Sequence, residues 1–183
     1  MPRTTLCAIL LSAMVWTLAP TPSVAGDHLE VKLDGFDLNI EVPRLNVSEY
    51  HRPYVAIWIQ DQQGAVVVDL AVWYQSRGAG KEEGTKWLPD LRQWWRRSGR
   101  KLENRVDAIS GPTPAPGSHT LKPTAEQLAK LTPGKYILFV EAAREVGGRE
   151  MAQVPFAWPL ESATTHEAQG KTELGKVTLK ARR

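Results

Sequence analysis

The residues in this chain best suited to chemistry lie in one stretch, Lys86 to Gly117, which holds three of the seven tryptophans and the densest run of positive charge. Arg92, Arg96, Arg97, Arg100 and Lys101 fall together with no acid between them, and Trp94 and Trp95 stand side by side among them. An indole face stacks on planar groups and cations, and a guanidinium grips carboxylate or phosphate with two parallel hydrogen bonds. These residue types at this spacing fit a planar anionic ligand or a partner protein. They also fit a packing helix whose arginines lie along apolar surface and reach water with their tips. Further on comes a run of small residues, Asp107-Ala-Ile-Ser-Gly-Pro-Thr113, the composition of an ordinary turn.

Other chemistries find little material. His28, His51, His119 and His166 are not paired at ligand spacing, so no metal site is expected. Cys7 is the single cysteine. No GxSxG elbow and no GxxxxGK loop occurs, which removes the two most readable signatures of hydrolase and nucleotide chemistry. Glu82-Glu83 reads as a solvated charge run. Trp58, Trp73 and Trp158 sit in apolar strand patterns and read as core. No catalytic residue is assigned, and the chain is expected to be non-enzymatic.

The elements that must position these residues begin after a leader. Arg3, the apolar run Leu6–Pro20 and the small residues Ser23-Val24-Ala25 have the layout of a cleavable signal peptide, with cleavage after Ala25. Residues 1–25 are thus the signal and 26–183 a single domain, exported to the periplasm and not membrane-spanning once cleaved. Cys7 lies inside the signal, and Leu6 before it and the apolar run after it do not match a lipidation site. Cleavage leaves 22 basic residues of the chain's 23, against 20 acidic, a balance that argues against nucleic-acid binding.

Strands are expected at His28–Leu33 and Asp37–Pro43, where apolar residues alternate. A hairpin is expected from Tyr54–Ile59 and Ala65–Tyr74 around Asp61-Gln-Gln-Gly64. Pro89 opens a short amphipathic helix to Ser98, with Leu88, Leu91 and Trp95 on its buried face, Trp94 at the edge and Arg92 and Arg96 outward. Further strands are expected at Val106–Ile109, Ser118–Leu121, Lys135–Arg144, Met151–Trp158 and around Leu174–Leu179. A helical turn at Thr124–Leu131 has Thr124 as cap and Gln127 in the reciprocal position. Glu161–Thr172 reads as a polar loop. The fold class is mainly β: an antiparallel β-sandwich, immunoglobulin-like in one version, with one short inserted helix.

The run WLPDLRQWWRR followed by VDAISGPTPAPG, after an exported hairpin, resembles the periplasmic proteins of domain-of-unknown-function family twenty-two seventy-one. The resemblance covers roughly His28 to Lys180. It implies a setting of flavin-linked extracytoplasmic electron transfer, with a periplasmic flavin transferase and PepSY-type membrane proteins as partners. A second resemblance is to the motif Asp-x-x-Ser/Thr-Gly-Ala-Ser/Thr, whose last hydroxyl receives covalent FMN. Asp107, Ser110, Gly111 and Thr113 match it, which implies FMN esterified at Thr113. Pro112 stands where the motif has alanine, and proline fixes its own φ and restricts Gly111. The resemblance thus implies a carrier or accessory in a flavin-linked system. The residues alone leave open a binding module for a peptide, sugar or partner protein, using the Trp/Arg helix as its anchor.

Overall fold

In the computed structural model residues 35–74, 83–102, 108–160 and 164–182 are described. Alternating apolar side chains give strand β1 (Gly35–Val42), and nearly continuous apolar runs give β2 (Tyr54–Asp61) and β3 (Val66–Trp73). A helical segment follows, made of α1 (Glu83–Lys86), a 3-10 turn at Leu88–Asp90, α2 (Arg92–Arg97) and a second 3-10 turn at Gly99–Lys101. Then come β4 (Ser110–Gly111), β5 (Gly117–Leu121), α3 (Ala125–Leu128), β6 (Gly134–Ala143), β7 (Arg149–Trp158), β8 (Thr165–Gln169) and β9 (Lys176–Arg182).

The strands form two sheets, ordered β5-β1-β9-β8 and β4-β3-β2-β6-β7. Every pairing is antiparallel except the short one between β3 and β4. Phe36, Leu38, Ile40 and Leu179 from the first sheet meet Ile57 and Leu138 from the second, and all six are fully buried. This is the inner core of a β-sandwich. The larger sheet has a second core on its other face. There Ala56, Trp58, Val72 and Tyr74 pack against Leu88, Leu91 and Trp94 of the helical segment. That explains why β2 is buried on both faces and reads as a nearly continuous apolar run. No helix among the described residues is long and apolar enough to cross a membrane.

Several expectations are corrected. The helix expected over Pro89–Ser98 is broken at Leu91, whose ψ of 68° leaves the helical region. Pro89 favours the 3-10 turn, which closes through Asp90 N–H to the Trp87 carbonyl and Leu91 N–H to the Leu88 carbonyl. The break brings Leu88, Leu91 and Trp94 onto one buried face and moves Trp95 to the edge, the reverse of the expected order. Thr165–Gln169, expected within a loop, is strand β8. It is an exposed edge strand that, beyond Thr165, lacks the apolar β-branched and aromatic signal. Ala108 and Ile109 form a turn and pairing begins at Ser110. The expected strand His28–Leu33 lies outside the described residues.

Candidate functional site

The Trp/Arg segment is held by two carboxylates that come from strands far away in sequence. Helix α2 starts after Leu91, whose side chain cannot accept a hydrogen bond, so the amides of its first turn need another acceptor. Glu141 of β6 provides it. Its carboxylate, 1% exposed, accepts from Gln93 N–H at 3.1 Å and Trp94 N–H at 2.9 Å. Arg149 Nη1 lies 3.5 Å from the same carboxylate.

Asp69 of β3 holds the other end. One of its oxygens accepts from Trp94 Nε1 at 2.8 Å, and the other accepts from the Ser98 hydroxyl. Burial raises the Asp69 carboxyl above its usual range, and the donors Ser98 and Trp94 and the charge of Lys130 only partly offset this. Asp69 reaches the helix because β3 does not alternate. Irregular register at two places gives β3 two extra residues against β2. As a result Val66, Asp69 and Val72, three apart, face the helical layer, while Val68, Leu70 and Ala71 face the inner core.

Trp94 is therefore core, fully buried, and offers no face to a ligand. Trp95 is half-buried, its ring centroid 6.2 Å from that of Trp94. Gly99 is required where the chain passes them, since a Cβ there would lie 2.7 Å from each indole. The arginines fall into two rows. Arg92, Arg96 and Arg100, four apart, are exposed on the outer side with Lys86 and Trp87. Lys86 Nζ sits 5.3 Å from the Trp87 ring centroid, and Trp87 is 39% exposed. Arg97 and Lys101, also four apart, border a cleft beside β3, where Arg97 Nη1 donates to the Gly64 carbonyl at 2.8 Å. The other wall of that cleft, with Gln127 and Lys130 of the α3 region, carried no signal in the sequence.

The small-residue run has a different role. Ser110 and Gly111 are β4 and pair with Val72 and Trp73, and the Tyr74 amide donates to the Gly111 carbonyl at 2.9 Å. Thr113 is 4% exposed, and its hydroxyl donates to the Pro53 carbonyl at 2.8 Å. Arg52 Nη1 donates to the Thr113 carbonyl at 3.2 Å. Asp107 lies outside the described residues. These residues do not fit an esterified FMN as folded: the hydroxyl is committed to a carbonyl, which would repel a phosphate. Nor is Arg97 of the basic stretch near to serve as a phosphate ligand. Thr113 sits by Pro53 at one end of β2 and Arg97 by Gly64 beyond the other, about 25 Å apart by strand length.

Among the described residues no three metal-ligating side chains converge. His51 lies 2.8 Å from Glu49, and His119 contacts the Ala115 carbonyl at 2.7 Å. The fold and these surfaces define a β-sandwich scaffold that carries a rigid basic helical layer on one sheet. The chain belongs to the family described as predicted periplasmic protein DUF2271, whose model matches residues 35–176. No curated protein and no solved structure gives a significant match.

Proposed function

We propose that this protein is a non-enzymatic periplasmic interaction module, which binds an anionic surface of a partner through the outer row of its helical layer. The observation that carries the reading is the row itself. Lys86, Arg92, Arg96 and Arg100 stand outward beside exposed Trp87, with Asp90 as the one acid among the exposed residues from Thr85 to Lys101. The layer beneath is held by Trp94, Asp69 and Glu141, so the cations project from a backbone of fixed position. Single exposed charges contribute little, but a fixed row of one sign steers encounter and sets orientation. An exposed tryptophan beside it supplies the anchor such surfaces use.

The family resemblance supplies the setting: a flavin-linked electron-transfer system, in which this chain is an accessory to its protein partners. Covalent carriage of FMN is the weaker form, because Thr113 would have to leave Pro53 first. The test uses the purified mature protein against the periplasmic flavin transferase and the periplasmic part of the PepSY-type membrane protein of the same organism. Binding to at least one, weakened about tenfold or more by R92E/R96E/R100E and by added salt, is expected. Equal binding by the triple variant, or no binding to either partner, refutes the reading.

A further inference from the structure

The second row of cations points elsewhere. Between β3, the Gly99–Lys101 turn and α3 lies a cleft of about 820 Å³, within the size range of small-molecule sites. It exists because β4 is too short. β4 pairs only with Val72 and Trp73, so Val66–Asp69 has no described strand on that side. An open edge normally invites another strand. Here two features oppose that. The register breaks of β3 twist the edge, and Gln127 Nε2 occupies the Asp69 and Leu70 carbonyls at 3.2 and 2.9 Å. The gap is therefore a cleft lined by side chains, and not a template for β-addition.

We infer that this cleft binds a small organic anion with an apolar body. Val66, Leu102 and Ile109 supply apolar surface. Arg97 of α2, Lys101 of the Gly99–Lys101 turn and Lys130 of the turn after α3 bring positive charge. Of the two acids in the lining, Asp69 turns its oxygens to Trp94 and Ser98, and Glu126 is exposed. Arg97 is held in place by the Gly64 carbonyl, which leaves the ammonium groups of Lys101 and Lys130 to close on a carboxylate, sulfonate or phosphate from opposite walls. Apolar lining with a few converging charges is what orients a ligand of that class. The site is separate from the outer row, since Arg92, Arg96 and Arg100 do not line it.

The test uses two aromatic probes of similar shape on the mature protein: 8-anilinonaphthalene-1-sulfonate, which is anionic, and N-phenyl-1-naphthylamine, which is neutral. The sulfonate should bind at one site and more tightly than the amine. In K101Q/K130Q the sulfonate should lose about tenfold in affinity, with the amine unchanged. Ala65→Trp, which fills the cleft from an exposed position, should weaken both probes. R92E/R96E/R100E should weaken neither. Equal sulfonate binding by wild type and K101Q/K130Q refutes the anion specificity. Failure of both probes to bind, or full binding by Ala65→Trp, refutes the site.

Discussion

Replacing Glu141 tests whether a buried strand carboxylate builds the helical layer. Glu141→Gln keeps the shape; with its oxygen in the Oε2 position it still accepts from both amides, while its NH2 replaces the oxygen that Gln93 N–H shares and that Arg149 approaches. Hydrogen bonds to a charged acceptor contribute about 1.5–3 kcal/mol each. Both bonds weaken to a neutral acceptor, by about 1 kcal/mol each, and the contacts to the replaced oxygen are lost, so the gross loss approaches about 3 kcal/mol. The neutral side chain no longer carries the desolvation cost of a charge that is 1% exposed, which returns part of the loss. We therefore expect Glu141→Gln to lower stability by about 2 kcal/mol, and Glu141→Ala, which leaves both amides without an acceptor and opens a cavity, by about 4. For a domain of this size the Gln variant should melt about 4–8 °C lower. Urea denaturation followed by tryptophan fluorescence should show a lower midpoint and an unchanged slope. Hydrogen exchange should accelerate first at the Gln93 and Trp94 amides. An Ala variant no worse than Gln, or one that melts within about 1 °C of wild type, refutes the capping role.

Other perturbations have equally definite outcomes. Burial raises the Asp69 carboxyl above 3.8, so the native state holds that proton more tightly than the unfolded chain. The resulting stability is complete below the unfolded value and is lost as pH rises through the native one. Wild type should therefore gain stability over Asp69→Asn as urea midpoints are compared from pH 7 down to 4, and a flat or opposite trend contradicts the burial argument. Val146 has φ 51° at a turn and is 77% exposed. A β-branched residue is strained there, so Val146→Asn should stabilise by about 1 kcal/mol in thermal melts. Co-expression with the flavin transferase should leave the intact mass without an FMN increment, because the Thr113 hydroxyl is occupied. An increment present in wild type and absent in Thr113→Ala restores the covalent-carrier reading.

Local signals carried over into the structure where a short turn or a cap marked them, whereas β8, paired with nearby β9, carried none. The Tyr54–Tyr74 hairpin formed around its short turn. The Thr124 cap formed with both reciprocal bonds, Thr124 N–H to Gln127 Oε1 at 2.9 Å and Gln127 N–H to Thr124 Oγ1 at 3.2 Å. What stayed hidden depends on distant partners. Nothing near Leu91 shows that a carboxylate 47 residues from Trp94 caps its helix. Without that cap the order of Trp94 and Trp95 cannot be read from helical spacing. The Thr113 run is open to two readings for a related reason. Small residues suit a modified loop, but they also suit a two-residue strand that ends on a buried hydroxyl.

Strand β3 shows why the site lay out of reach of pattern reading. Val-Val-Val-Asp-Leu-Ala-Val-Trp looks like a strand with one misplaced acid, since strict alternation would put Asp69 on the same face as Val67 and Ala71. Those two residues face the inner core, and an unpaired carboxylate there would be costly. The register breaks change the period locally from two to three and bring Asp69 to the helical layer. The same irregular edge, with Gln127 on its carbonyls, leaves room for the cleft that Arg97, Lys101 and Lys130 border. One polar residue in an apolar strand thus locks Trp94 in place, and the distortion that aims it leaves the neighbouring edge open to a ligand.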